Sequence, residues 1–120
     1  MIYPIDLVDL YIYAMNGEFQ VVLCTVPDAE TAETIATALV TDRLAACVNI
    51  LPGVTSVYRW QGKIERDAEL LLLIKTAAGS WSRLEQRIRS LHPYELPEII
   101  AVPIQTGQEN YLEWITSSLT

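Results

Sequence analysis

An α+β domain built on a four-stranded antiparallel sheet is predicted by three features of the sequence. A strand-helix-strand order occurs twice, an over-long hairpin joins the two copies, and both intervening segments carry apolar residues at helical spacing. The run from Phe19 to Val26 is dense in β-branched residues and stops at Pro27, as a buried strand does. Asp28 follows as a helix N-cap, with Glu30 and Glu33 toward the positive end of the helix dipole. Ala29, Ala32, Ile35, Ala36, Leu39 and Val40 then fall on one helical face.

A second extended stretch runs from Ala45 to Trp60, with Pro52-Gly53 reading as a bulge or bend inside it. Gln61-Gly62 makes a tight turn, and the chain returns from Lys63 to Thr76. Leu70-Leu71-Leu72-Leu73-Ile74 is apolar on both faces, which suits a central strand covered on both sides. Gly79-Ser80 opens a second helix that buries Trp81, Leu84, Ile88 and Leu91 and ends at Pro93. Ile99 to Ile104 is the fourth strand, and Tyr111, Trp114, Ile115 and Leu119 mark an amphipathic C-terminal helix.

Two βαβ units of similar length imply the split-βαβ, ferredoxin-like arrangement (βαββαβ). Right-handed crossovers put both helices on one face of the sheet, with strand order 4-1-3-2. Pro103 supplies a check. Proline is tolerated in sheets mainly on edges, and this order puts the fourth strand at one.

Composition narrows the function. The 120 residues carry fifteen acids against eight bases, a net charge of -7, which disfavours nucleic acid and anionic membranes as partners. Cys24 and Cys47 lie in apolar runs without a CxxC pair, which suits a reducing compartment; the cytoplasm is the expected location. Residues 1–14 are apolar but contain Asp6 and Asp9, lack a basic leader, and are too short and acidic to span a bilayer. Residues 1–18 are read as an N-terminal extension and 19–120 as one domain. A single histidine, no glycine-rich phosphate loop and no nucleophile motif leave little machinery for an enzyme.

The hairpin from Ala45 to Thr76 argues against a monomer. Each arm holds about 14 to 16 residues, roughly 45–50 Å at ~3.3 Å per residue, against the usual five or six. A ribbon that outgrows its own sheet exposes edges that invite pairing. Val54, Val57, Tyr58 and Trp60 near its tip are expected to dock on sister chains.

Several consecutive segments carry a family resemblance. They are Val22-Leu23-Cys24-Thr25-Val26-Pro27-Asp28, Leu44-Ala45-Ala46-Cys47-Val48-Asn49-Ile50, Ser56-Val57-Tyr58-Arg59-Trp60-Gln61-Gly62-Lys63, Leu73-Ile74-Lys75-Thr76, His92-Pro93-Tyr94-Glu95-Leu96-Pro97-Glu98-Ile99 and Tyr111-Leu112-Glu113-Trp114-Ile115. In this order and spacing the chain resembles the CutA divalent-cation tolerance family from about Phe19 to Leu119. The resemblance implies a stable homotrimer of ferredoxin-like subunits, similar in shape to PII signalling proteins. It also implies a link to tolerance of divalent metal ions, with copper binding in some members and no agreed enzymatic reaction.

Two candidate sites follow. Cys24, Cys47 and His92 match positions implicated in the family, and sulfur and imidazole suit copper, as Cu(I) or Cu(II). In the expected strand order Cys24 and Cys47 lie at least about 10 Å apart, too far to share one ion within a subunit. Each cysteine reads equally as a small buried apolar residue, and His92 as a helix-end anchor. Trp60, Lys75, Tyr94, Glu98 and Trp114 match recurring family positions and mix aromatic surface with opposite charges, as a small-molecule or signalling pocket at subunit junctions would. The plainer reading is an interface network in which Glu69 or Glu98 pairs with Lys75, with Glu65, Asp67 and Glu69 along a solvated or inter-subunit face.

Overall fold

The computed structural model describes residues 18–119; the N-terminal segment discussed above lies outside them. Strand β1 spans Phe19–Val26, helix α1 Ala29–Thr41, β2 Cys47–Trp60, β3 Lys63–Ala77, α2 Trp81–Leu91, β4 Ile100–Pro103 and α3 Glu109–Ser118. The sheet is antiparallel in order β2-β3-β1-β4, which is the expected order read from the other edge. Boundaries shift slightly. β2 begins at Cys47 rather than Ala45, β4 is shorter than expected, and a turn of 3-10 helix over Ala78–Ser80 precedes α2.

Local chemistry accounts for the element ends. Asp28 caps α1 by accepting the Thr31 N–H at 2.7 Å. At its other end Arg43 adopts a left-handed conformation (φ 57°), while Leu44 N donates to Leu39 O at 2.9 Å and Arg43 N to Val40 O at 3.2 Å. That pair of bonds is a Schellman cap, and it turns the chain back toward β2 with Leu44 against Leu39 in the core. The two-residue loop between Trp60 and Lys63 has positive φ at both Gln61 (50°) and Gly62 (80°), the geometry of a type I′ turn. Pro52 and Gly53 sit where the β2–β3 register shifts, between Leu51 and Val54, so the expected bulge is present. Pro103 lies on β4, which pairs with β1 and forms an edge.

The core lies between the sheet and the helix pair. Val22, Cys24, Val26, Leu72 and Ile74 meet Ala32, Ile35 and Leu39 of α1 and Leu84 and Ile88 of α2. At its margin the buried Thr76 hydroxyl donates to Leu44 O at 2.7 Å, tying β3 to the loop before β2.

Strand alternation sends the intervening residues to the opposite face. There α3 covers one end, packing Leu112 and Ile115 against Phe19 and Ala46. Beyond it the face stays open among the described residues: Ile100 is 52% and Val102 48% exposed, beside Leu23 and Val21, their partners on β1. The apolar run in β3 is therefore covered by helices on one side only.

Candidate functional site

The site grows from the end of α2. His92 N donates to Ile88 O at 2.8 Å, and Pro93 prevents a further helical turn. The imidazole then bonds through both nitrogens. Nε2 lies 2.7 Å from Thr25 O, and Nδ1 accepts the Tyr94 N–H at 3.1 Å. Because Nδ1 accepts, the ring proton sits on Nε2, and the ring is committed to two backbone partners. The chain is thus pinned across the end of β1, with the Tyr94 ring 4.7 Å from that of His92.

From there Tyr94 reaches β3, where its hydroxyl donates to Glu69 Oε2 at 2.7 Å. Burial, the hydrogen bond to Glu69 and the negative charge of Glu69 all push the Tyr94 phenol upward. Across the ribbon the Tyr58 hydroxyl donates to Asp67, and its phenol is pushed up to about 12, chiefly by that bond. These groups line a cleft of about 720 Å³ between the outer half of the hairpin and residues 93–98; Trp60 and Glu98 also face it.

Glu69 is the unusual member. It is 7% exposed, and among the described residues no cation pairs with it; the ion pairs there are Arg87–Asp42 and Arg89–Glu85, both elsewhere. A buried carboxylate normally finds a counter-charge. Arg59 also lines the cleft, from a position one residue out of step with Tyr58, and forms no ion pair with Glu69.

The sequence-derived residues therefore separate into three places. Tyr58, Trp60, Glu69, Tyr94 and Glu98 share the cleft. Lys75 does not. It pairs across strands with Val21 and Cys47, six residues along β3 from Glu69, or roughly 20 Å at ~3.3 Å each. Within the chain Lys75 forms no ion pair with Glu69 or Glu98; the pairing expected from the sequence is one across an interface between chains. Trp114 is on α3, its ring 5.4 Å from that of Tyr111.

The candidate metal ligands are also divided. Register places Cys24 opposite Leu72 and Ile50 on the helix side, and Cys47 opposite Lys75 and Val21 on the other side. Two strand spacings across and three residues along separate them by roughly 14 Å. Cys24 is fully buried, and its thiol is pushed up to about 12 by burial first, then by the charges of Glu98 and Glu69. Cys47 is half-buried, and the Tyr111 hydroxyl faces its sulfur. Among the described residues no three of His, Cys, Asp and Glu converge as a metal-binding group. A closed single-chain cation site does not fit these side chains. Sequence reasoning missed the Tyr58–Asp67 bond and the double engagement of His92; the alternation of Tyr58 and Asp67 on facing arms was a signal for the first.

Fold and site together define a ferredoxin-like protein with an over-extended ribbon, an open sheet face and an acidic, aromatic cleft. The family described as CutA1 divalent ion tolerance protein matches residues 20–118, and the chain belongs to it. It is 57% identical over 96 residues to the divalent-cation tolerance protein CutA of Thermus thermophilus, covering 80% of this chain and 93% of that one. Against mouse protein CutA the identity is 46% over 99 residues, covering 82% of this chain and 56% of the mouse protein. The solved structure of the divalent cation tolerance protein from Thermus thermophilus superposes with a TM-score of 0.84 at 54% identity, covering 85% of this chain and 99% of that chain.

Proposed function

We propose that this protein works as a homotrimer in the response to divalent metal ions, with copper held at modest affinity at a site completed between chains. The observation that carries the trimer is the open apolar face: Ile100 and Val102 lie about half exposed on an edge strand, beside a ribbon of 14- and 15-residue arms. Such a surface on a small domain is stable in water when a partner covers it. For copper, Cys47 is the donor with access, because Cys24 is sealed in the core and His92 has both nitrogens engaged. The same facts favour a non-enzymatic role, since a protonated buried thiol and a locked imidazole supply neither nucleophile nor base.

Calorimetric titration of copper into the native protein and the Cys47→Ala and His92→Ala variants tests this reading. Loss of copper binding in Cys47→Ala with retention in His92→Ala is expected. Undiminished binding in Cys47→Ala removes the metal site.

A second reading, a PII-like trimer that binds a small molecule and has no metal role, draws on the cleft. Its volume falls within the range of small-ligand sites, and aromatic rings and charges converge there.

A further inference from the structure

We propose that Lys75 of one chain is the counter-charge for Glu69 of the next, so that the cleft is a socket completed by a sister chain. The inference rests on the homotrimer reading above and gives its interface a register at the level of residues.

Glu69 and Lys75 lie six residues apart on β3, and the one irregularity in its pairing places the extra residue on β2. An even spacing on a regular strand sends both side chains to the same face. Leu71 and Leu73 stand between them, while Leu72 and Ile74 point into the core under the helices. The open face of β3 therefore reads acid, leucine, leucine, base.

Both ends of this row are uncompensated in their own chain. Glu69 is buried, and the Tyr94 hydroxyl occupies one of its oxygens. The other takes no hydrogen bond from any described residue and is not sealed from the cleft that Glu69 lines. Lys75 is half-buried beside Val21 and Cys47, with no hydrogen bond or ion pair among the described residues. Charges withdrawn from water without a partner are costly. These two cannot serve each other in one chain, because the extended backbone holds them roughly 20 Å apart.

A ring of identical chains serves both. Each chain offers Glu69 to one neighbour and Lys75 to the other, and closure leaves neither charge over. The leucines between them are covered by the same contact. Arg59 also lines the cleft, but it is exposed, as are Lys63 and Arg66 on the ribbon, and water solvates their charges.

Carbodiimide coupling, which joins an ammonium to a carboxylate in direct contact, tests the proposal on full chains assembled from an isotopically light and heavy mixture. Peptide mass spectrometry is expected to find Lys75 joined to Glu69 across a light and a heavy chain. Glu69→Lys and Lys75→Glu are each expected to raise the concentration at which the assembly dissociates by about tenfold or more, and the double variant to restore it. Absence of the Lys75–Glu69 link in the assembled native protein overturns the proposal. So does a double variant that associates no better than the singles, or rescue of Glu69→Lys by Arg59→Glu in place of Lys75→Glu. Mass measurement on the same samples keeps the failures apart. A trimer without the link rejects the pair alone, whereas a wild-type monomer rejects the assembly and the pair with it.

Discussion

His92 and Thr25 are joined by a 2.7 Å hydrogen bond that closes the gap between the end of α2 and the end of β1. The same ring accepts the backbone N–H of Tyr94, so one side chain fixes both the exit of the helix and the wall of the cleft. His92→Ala removes both bonds in a buried setting and is expected to cost about 1–3 kcal/mol, read from the denaturant midpoint. Hydrogen exchange reports the change locally, with the Tyr94 amide losing protection before the strands do. Unaltered protection at Tyr94 would contradict the described role.

Cys24 should behave as an inert thiol. Its pKa of about 12 means that little thiolate forms in the native state. Mass spectrometry after iodoacetamide treatment at pH 8.5 is expected to find Cys24 unmodified in native protein and labelled after denaturation. The linkage has a definite sign. The folded pKa lies above the unfolded value of about 8.5, so the contribution to stability is complete below about pH 8.5 and is lost as pH rises toward 12. Cys24→Ala flattens that alkaline decline.

The Asp28 cap titrates in the opposite sense. Hydrogen bonding from the Thr31 N–H, and secondarily its hydroxyl, holds the carboxyl below the usual aspartate range. Its stabilisation is present above the unfolded value of about 3.9 and is lost as pH falls through the folded value. Asp28→Ala therefore lowers the thermal midpoint at neutral pH, and the gap from wild type narrows below about pH 4.

Thr76 tests the margin of the core. Thr76→Val keeps the shape but strips the Leu44 carbonyl of its side-chain donor in a fully buried position. A loss of about 1–3 kcal/mol in denaturant unfolding is expected. A neutral result would mean that another donor satisfies Leu44.

Much of this fold was legible because its signals are local. Pro27 and Asp28 mark a strand-to-helix junction within two residues, Gln61-Gly62 specifies its turn, and Pro103 marks an edge. The site was less legible because its contacts are long-range. Nothing near His92 in sequence points to Thr25, and the ribbon register decides that Tyr58 meets Asp67. Lys75 and Glu69 share a strand, and their spacing along an extended backbone keeps them apart within one chain, so the interface network expected for them is one that only neighbouring chains would complete. The leucine run in β3 suggested cover on both sides; the sequence pattern holds no information on whether the second cover belongs to the same chain.

Sedimentation equilibrium across a wide dilution series tests the central claim most directly. The expected mass is three times the 13.5 kDa of one chain, held to low concentration. Ile100→Asp, which puts a charge on the open face, is expected to drive dissociation with the fold intact. A wild-type mass of 13.5 kDa at every concentration would contradict the account.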